Sequence, residues 1–243
     1  MMGISRAAVN TAVRSLRKEG CAIESVTNRG YRLSVRPDML TIGTLLSGLS
    51  PERMESVLCL PVTSSTNSLL MEMAQQDAPD GQVVMAEMQT AGRGRTGTHF
   101  SSPEGKGIYL SYLIRPENKE GGSAFVTDWR SITKVTGKTV CLVMEKLCGV
   151  SPDIVENSLH INGRKFCGIL TQTDMEVESG MIRSLVVGIG IHVHETVSDL
   201  RKTDGMTSLD IETGRQNSRP EIAASLILSL DESCHTLKSQ RHC

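Results

Sequence analysis

Aromatic residues are scarce: Trp, Tyr and Phe together make up 3% of the 243 residues. The core must therefore be built from Leu, Ile, Val and Met, and nucleic-acid binding by aromatic stacking platforms is disfavoured. Long apolar runs are lacking too. None approaches the roughly 18 residues that a membrane-crossing helix needs, and no apolar segment of a secretory signal opens the chain, so a cytoplasmic protein with no membrane partner is expected. The seven cysteines (Cys21, Cys59, Cys141, Cys148, Cys167, Cys234, Cys243) form no Cys-x-x-Cys and no Cys/His pair at zinc spacing. Reduced thiols and no protein metal site are expected. Net charge is almost absent, at −1, but it is unevenly spread. Seven basic residues (Arg6, Arg14, Arg17, Lys18, Arg29, Arg32, Arg36) face two acidic ones (Glu19, Glu24) before position 37. Such a local excess suits a polyanionic partner beside an otherwise ordinary domain.

The basic segment has a readable pattern. Ser5 is a good N-cap, Val9, Ala12, Val13 and Leu16 recur at helical spacing, and Gly20 stands where a helix should end. Two alternating runs, Ala22 to Val26 and Tyr31 to Val35, then flank a turn and predict a β-hairpin. A polar helix followed by a basic hairpin has the form of the second half of a winged helix-turn-helix, with Arg6, Asn10 and Arg14 on the helix and Arg29 at the wing tip as DNA-binding candidates. A small helix and hairpin packed on the main domain is the equal alternative. Only four residues precede Ser5, where a winged helix ordinarily carries two more helices, so weak DNA binding is expected of this stretch.

Residues 37–55, with breaks at Pro37-Asp38 and Ser50-Pro51, predict a linker holding a short helix near Thr41 to Leu49. Beyond it, Val57 to Leu60, Val83 to Ala86, Ile108 to Ile114 and Leu185 to Ile191 predict buried strands. Helices are expected after Thr63-Ser64-Ser65-Thr66-Asn67, over Ser131 to Leu147, and from Ser218-Arg219-Pro220-Glu221 onward. Asn162-Gly163 between two apolar runs is a strong type I′ hairpin signal. These pieces predict an α+β fold: a mixed, largely antiparallel sheet with helices on it.

The densest chemistry lies at Gln89-Thr90-Ala91-Gly92-Arg93-Gly94-Arg95-Thr96-Gly97. Glycines let successive backbone N–H groups approach an anion, and guanidinium groups supply permanent planar charge. Read alone, a Gly-Arg repeat is more often a solvated turn.

The neighbours of that loop carry a resemblance. Ser65-Thr66-Asn67, Gln89 with Gly92-Arg93-Gly94-Arg95-Thr96-Gly97, Ser102-Pro103-x-Gly105 with Tyr109-Leu110-Ser111, Gly163-Arg164-Lys165-x-x-Gly168-Ile169-Leu170 and Gly188-x-Gly190-Ile191 follow one another from about Val57 to Leu230. In this order and spacing the chain resembles the biotin protein ligase family, in particular its bifunctional members that also repress biotin synthesis.

The resemblance implies a partial winged helix over 1–36, a linker over 37–55 and a class II synthetase-like catalytic domain over 56–243, without the family's C-terminal β domain. It also implies that biotin and ATP, with Mg²⁺ carried on the phosphates, give biotinyl-5′-AMP. The biotinyl group then passes to a lysine of the biotin carboxyl carrier protein of acetyl-CoA carboxylase or another biotin enzyme. Operator DNA and a homodimer are further implied possibilities.

By the resemblance Arg95 and Lys165 are the catalytic candidates. Ser65, Thr66, Asn67, Gln89, Arg93, Lys165 and Gly168 would bind biotin, and Gly92, Arg93, Gly94, Arg95, Gly97, Phe100, Asn157 and His192 the nucleotide. The chain also departs from the family. Ile154-Val155-Glu156-Asn157-Ser158 stands where Lys-Trp-Pro-Asn-Asp is usual, Thr98 replaces an arginine, Phe100 a tryptophan and His192 an asparagine. Lowered turnover is the expected effect, with a non-catalytic homologue that binds biotin or a partner as the alternative.

Overall fold

The computed structural model describes residues 5–18, 21–27, 29–35, 38–46, 48–116, 129–176, 178, 181–201, 203 and 205–239. Gly20, expected to end the first helix, lies outside these residues, as do Arg36, Pro37 and Cys243. The chain divides into two compact units, Met1–Met39 and Leu40–Cys243.

In the first unit α1 (Arg6–Lys18) starts at Ser5, whose hydroxyl accepts a hydrogen bond from the Ala8 N–H at 3.2 Å. An antiparallel hairpin follows, β1 (Ala22–Val26) with β2 (Gly30–Val35). Val13 is buried and Leu16 half-buried, whereas Val9 and Ala12 are exposed, so the apolar stripe is narrower than the spacing predicted. Arg17 fixes helix to hairpin by donating to the Ile23 carbonyl at 2.5 Å, and the Tyr31 hydroxyl donates to Asn10 Oδ1, also at 2.5 Å.

The second unit is one seven-stranded sheet with helices on both faces. Its strands are β3 (Val57–Thr63), β4 (Val83–Gln89), β5 (Gly107–Ile114), β6 (Asp153–Val155), β7 (Ser158–Ile161), β8 (Arg164–Met175) and β9 (Ile182–His192), in the spatial order β3-β4-β5-β9-β8-β7-β6. Only β3 and β4 run parallel; every other neighbouring pair is antiparallel, as the sequence pattern predicts. The helices are α2 (Ile42–Leu45), α3 (Pro51–Met54), α4 (Thr66–Gln75), α5 (Trp129–Cys148), α6 (Val197–Leu200), α7 (Leu209–Thr213) and α8 (Arg219–Ser239).

Successive strand residues point to opposite faces, and here both faces are covered. Met85, Leu110 and Ile189 join the larger core with Val140, Met144 and Ile227 of α5 and α8, while Val84, Leu113 and Val186 pack with Leu70 and Ala74 of α4. That is why β5 is buried at every position. The face under α4 continues into Tyr109, Ser111, Gly168, Gly188 and Gly190, and three glycines there leave a hollow instead of a core.

One expectation needs correcting. The stretch foreseen as a linker carries two short helices, not one, and buries Leu40, Leu45, Leu49 and Met54 in the larger core. Residues from Leu40 onward therefore belong to the second unit, because four apolar side chains spaced along them have a core to enter. Asn162 and Gly163 both take positive φ, 52° and 73°, as a type I′ turn requires. Burial pushes the thiols of Cys59 and Cys234 up to about 12, so these cysteines are protonated and unreactive near neutrality. No described helix is long and apolar enough to cross a membrane.

Candidate functional site

The hollow is a cavity of about 320 Å³, and its wall is built from strand ends. At the end of β3 the chain turns into α4, where Ser65 caps the helix by accepting from the Ser68 N–H at 3.4 Å. Thr66 and Asn67, the first helical residues, are 4% exposed. Gln89 closes β4 and reaches back: its Oε1 accepts from the Thr66 N–H (2.9 Å) and hydroxyl (3.1 Å), while its Nε2 donates to Ser102 Oγ (2.8 Å). Ser111 of β5 lies below and bonds both Thr66 Oγ1 (2.8 Å) and Asn67 Oδ1 (2.5 Å). Asn67 Nδ2 in turn donates to the Leu170 carbonyl (3.2 Å) and to Gln172 Oε1 (3.0 Å). A neutral polar network thus joins three strands, β4, β5 and β8, and the start of one helix.

The glycine-arginine loop folds on itself above this network. Gly94 N–H donates to the Thr98 carbonyl at 2.7 Å, Phe100 N–H to the Gly92 carbonyl at 2.9 Å, and Thr98 Oγ1 to the Arg95 carbonyl at 2.8 Å. A Cβ on Gly92 would lie 2.4 Å from the Phe100 carbonyl oxygen, so only glycine lets the loop close there. Arg95 Nη1 donates to Glu156 Oε2 (2.6 Å) and to Asn157 Oδ1 (2.8 Å). Asn157 is held by its own Nδ2 bond to the Ile169 carbonyl, 2.8 Å. Lys165 is half-buried on β8, and its backbone is fixed on both sides by Gly205 and Thr207, at 2.8 and 2.9 Å.

Phe100 forms one end of the wall. Its ring stacks on His192 with centroids 5.0 Å apart and meets Tyr109 edge-on at 6.4 Å. Gly190 makes room for it, since a Cβ there would lie 2.5 Å from the ring. Behind the ring, His192 Nδ1 and Glu195 Oε1 are 2.5 Å apart, with both side chains 3% exposed. His192 Nε2 and Glu195 Oε2 find no hydrogen-bond partner among the described residues.

The cavity gathers Ser65, Thr66, Asn67, Gln89, Arg93, Gly94, Arg95, Phe100, Asn157, Lys165 and Gly168 of the residues that the sequence singled out. It does not bring in Gly92, Gly97 or His192. Gly92 is buried inside the loop, Gly97 (φ 76°) shapes its turn, and His192 is buried with its ring stacked on Phe100. Asn67 is on the wall, yet both its polar atoms already bond within the protein. Sequence reasoning gave no role to His99, which also lines the cavity, nor to Glu156, which holds Arg95. A second cavity of about 500 Å³ adjoins the first, sharing Arg95, Asn157 and Leu170 with it and adding Thr133, Lys134, Glu156 and Thr171. No cluster of three or more His, Cys, Asp or Glu side chains that could hold a metal occurs among the described residues.

Comparison with known proteins gives this arrangement a family. Residues 59–192 match the biotin/lipoate A/B protein ligase family, and residues 1–32 match a helix-turn-helix (HTH) domain. The chain belongs to the biotin/lipoate A/B protein ligase family. Among its ligase relatives, the bifunctional ligase/repressor BirA of Bacillus subtilis is 34% identical over 235 residues, which cover 95% of this chain and 70% of that protein. BirA of Escherichia coli is 32% identical, covering 94% and 68%. The biotin protein ligase of Aquifex aeolicus, solved with biotin and ATP, has the same ligase fold: TM-score 0.63 at 23% identity, over 76% of this chain and 72% of that one.

Proposed function

We propose that this chain is an ATP-dependent biotin–carrier-protein ligase in which one cavity holds both biotin and the activated phosphate. The observation that carries the reading is the composition of that cavity: neutral hydrogen-bonding groups from Ser65, Thr66 and Gln89 share it with the cations Arg93, Arg95 and Lys165. A urea head group needs neutral donors and acceptors. Gln89 Nε2 has a second N–H beyond the one given to Ser102, and Ser65 Oγ has its own proton. Asn67 acts at one remove, holding Ser111 and β8 in register, and Gly168, with Ile169 and Leu170, gives the apolar ring and tail a wall.

In the first step an oxygen of the biotin carboxylate attacks the α-phosphorus of ATP. The bond from that phosphorus to the β-phosphate oxygen breaks, and pyrophosphate leaves. Two anions must meet, so Arg93, Arg95 and Lys165 screen their repulsion and stabilise the charge that builds on the phosphate. Magnesium, carried on the ATP phosphates, neutralises part of the same charge. In the second step the ε-amine of the carrier lysine attacks the biotinyl carbonyl carbon, AMP leaves with the electron pair, and the new amide loses a proton to solvent. The carrier protein of acetyl-CoA carboxylase or another biotin enzyme is the proposed acceptor.

Biotin-dependent exchange of pyrophosphate into ATP tests the reading. Lys165→Ala is expected to slow exchange by about 100-fold, the scale of one lost transition-state donor. Exchange absent from the unaltered chain, with biotin still bound, would sink it in favour of a non-catalytic biotin-binding homologue. The first unit supports a second role in the same chain, a repressor-type contact to operator DNA, because its sequence matches a helix-turn-helix domain and its described arginines are exposed.

A further inference from the structure

Glu156 is the one carboxylate bonded to the loop's cations among the described residues, and nothing in the ligase chemistry requires it there. It stands in a two-residue hairpin turn between Val155 of β6 and Ser158 of β7, at φ 53°. Two-residue turns with positive φ at the first central position ordinarily use glycine, asparagine or aspartate, and a longer side chain such as glutamate is disfavoured in that conformation. Here the turn delivers a carboxylate to Arg95 Nη1 at 2.6 Å. Both partners are solvent-exposed, 54% for Arg95 and 73% for Glu156, so the pair is free to open. Asn157, the next residue, holds the same Nη1 at 2.8 Å by a neutral oxygen, and it keeps the guanidinium in place when the carboxylate leaves.

We infer that Glu156 is an internal counter-anion that competes with the nucleotide phosphate for Arg95 and thereby sets the affinity of the site for ATP. The inference rests on the reading of the cavity given above. An arginine fork paired with carboxylate and an arginine fork paired with phosphate use the same donors, so the incoming phosphate displaces the carboxylate instead of adding to it. The second cavity gives the displaced group somewhere to go: Glu156 and Arg95 both line it, and so does Lys134 of α5. Glu156 therefore lowers the affinity of the empty site for anions while Asn157 preserves the geometry of Arg95. A residue that merely oriented Arg95 would have the opposite effect on binding when neutralised.

Calorimetric titration of the full chain with Mg·ATP, without biotin, and separately with biotin without ATP, decides the matter. Glu156→Gln keeps the size of the side chain and removes its charge. It is expected to tighten Mg·ATP binding by about two- to five-fold, the scale of an exposed ion pair, and to leave the biotin Kd unchanged. In an Arg95→Gln background the same substitution should have no effect on Mg·ATP. Unchanged or weaker Mg·ATP binding by Glu156→Gln would overturn the inference, as would tightening that persists without Arg95. Failure of the unaltered chain and of every variant to bind Mg·ATP would instead remove the ligase reading on which the inference stands.

Discussion

Both polar atoms of Asn67 are spent on the protein itself, and this makes Gly188 the most exacting position in the cavity. A Cβ at Gly188 would lie 2.2 Å from Asn67 Oδ1 and 2.8 Å from its Cγ, too close for either side chain to stay. Gly188→Ala is expected to push Asn67 off Ser111, the Leu170 carbonyl and Gln172 together. Leaving such groups unpaired costs about 1 to 3 kcal/mol each, so thermal unfolding should shift down by several degrees and biotin affinity should fall at least about ten-fold. A variant with unchanged melting and unchanged biotin binding, measured by calorimetry, would refute the account of Asn67. At the residue scale the sequence reached most of the cavity through the family resemblance, since a Gly-Arg repeat read alone is more often a solvated turn. It missed Glu156 because an acidic residue in a turn is ordinary in sequence; only its positive φ and its distance to Arg95 distinguish it. His192 was placed with the nucleotide by resemblance alone, and a ring stacked over it is a packing fact that spacing cannot carry.

Among the elements, α8 owes its position to a buried charge. Arg219 at its first turn is 2% exposed and donates to Glu87 Oε2 at 2.8 Å and to the Gly107 carbonyl at 3.2 Å, while Glu87 Oε1 accepts from the Leu40 N–H. One ion pair therefore ties the helix start to β4, to the start of β5 and to the entry of the chain into the second unit. Removing one partner of a buried pair strands the other, at about 3 to 5 kcal/mol. Arg219→Ala should lower the unfolding free energy measured by denaturant titration by that amount, and Arg219→Ala with Glu87→Gln should recover part of it; equal loss in both variants would show that packing and not the stranded charge is at issue. The capping signal at Ser218 and Glu221 made this helix legible, and the structure has the Glu221 N–H donating to Ser218 Oγ at 3.4 Å. The stretch 37–55 was misread as a linker because proline breaks outweighed the spacing of Leu40, Leu45, Leu49 and Met54, whose meaning depends on a distant core.

For the whole molecule, the largely antiparallel pairing and the α+β class follow from strand runs, one Asn-Gly turn and the helices between them, all visible in the chain, whereas the strand order depends on long-range pairing that the sequence pattern does not carry. The two activities proposed divide between the two compact units, so they should be separable by substitution. Arg6→Ala with Arg14→Ala alters exposed residues of α1, neither of which lines the cavity. This double variant should lose about two units from the slope of log affinity for operator DNA against log salt, with pyrophosphate exchange unaltered. A gel-shift series over salt concentration in which the slope does not change would remove these arginines from the DNA surface.

The Phe100 ring has a consequence for ligand range. It rests on Gly190 and Gly168, where neither strand offers a Cβ, and it is backed by the stacked His192 ring, so its bulk helps fix how deep the cavity runs at that end. Position 100 is thus a natural hole for bump-and-hole design: a smaller residue would open a slot floored by the glycine backbone and the His192 ring, into which an enlarged synthetic analogue of the substrate could be keyed without rebuilding the rest of the wall.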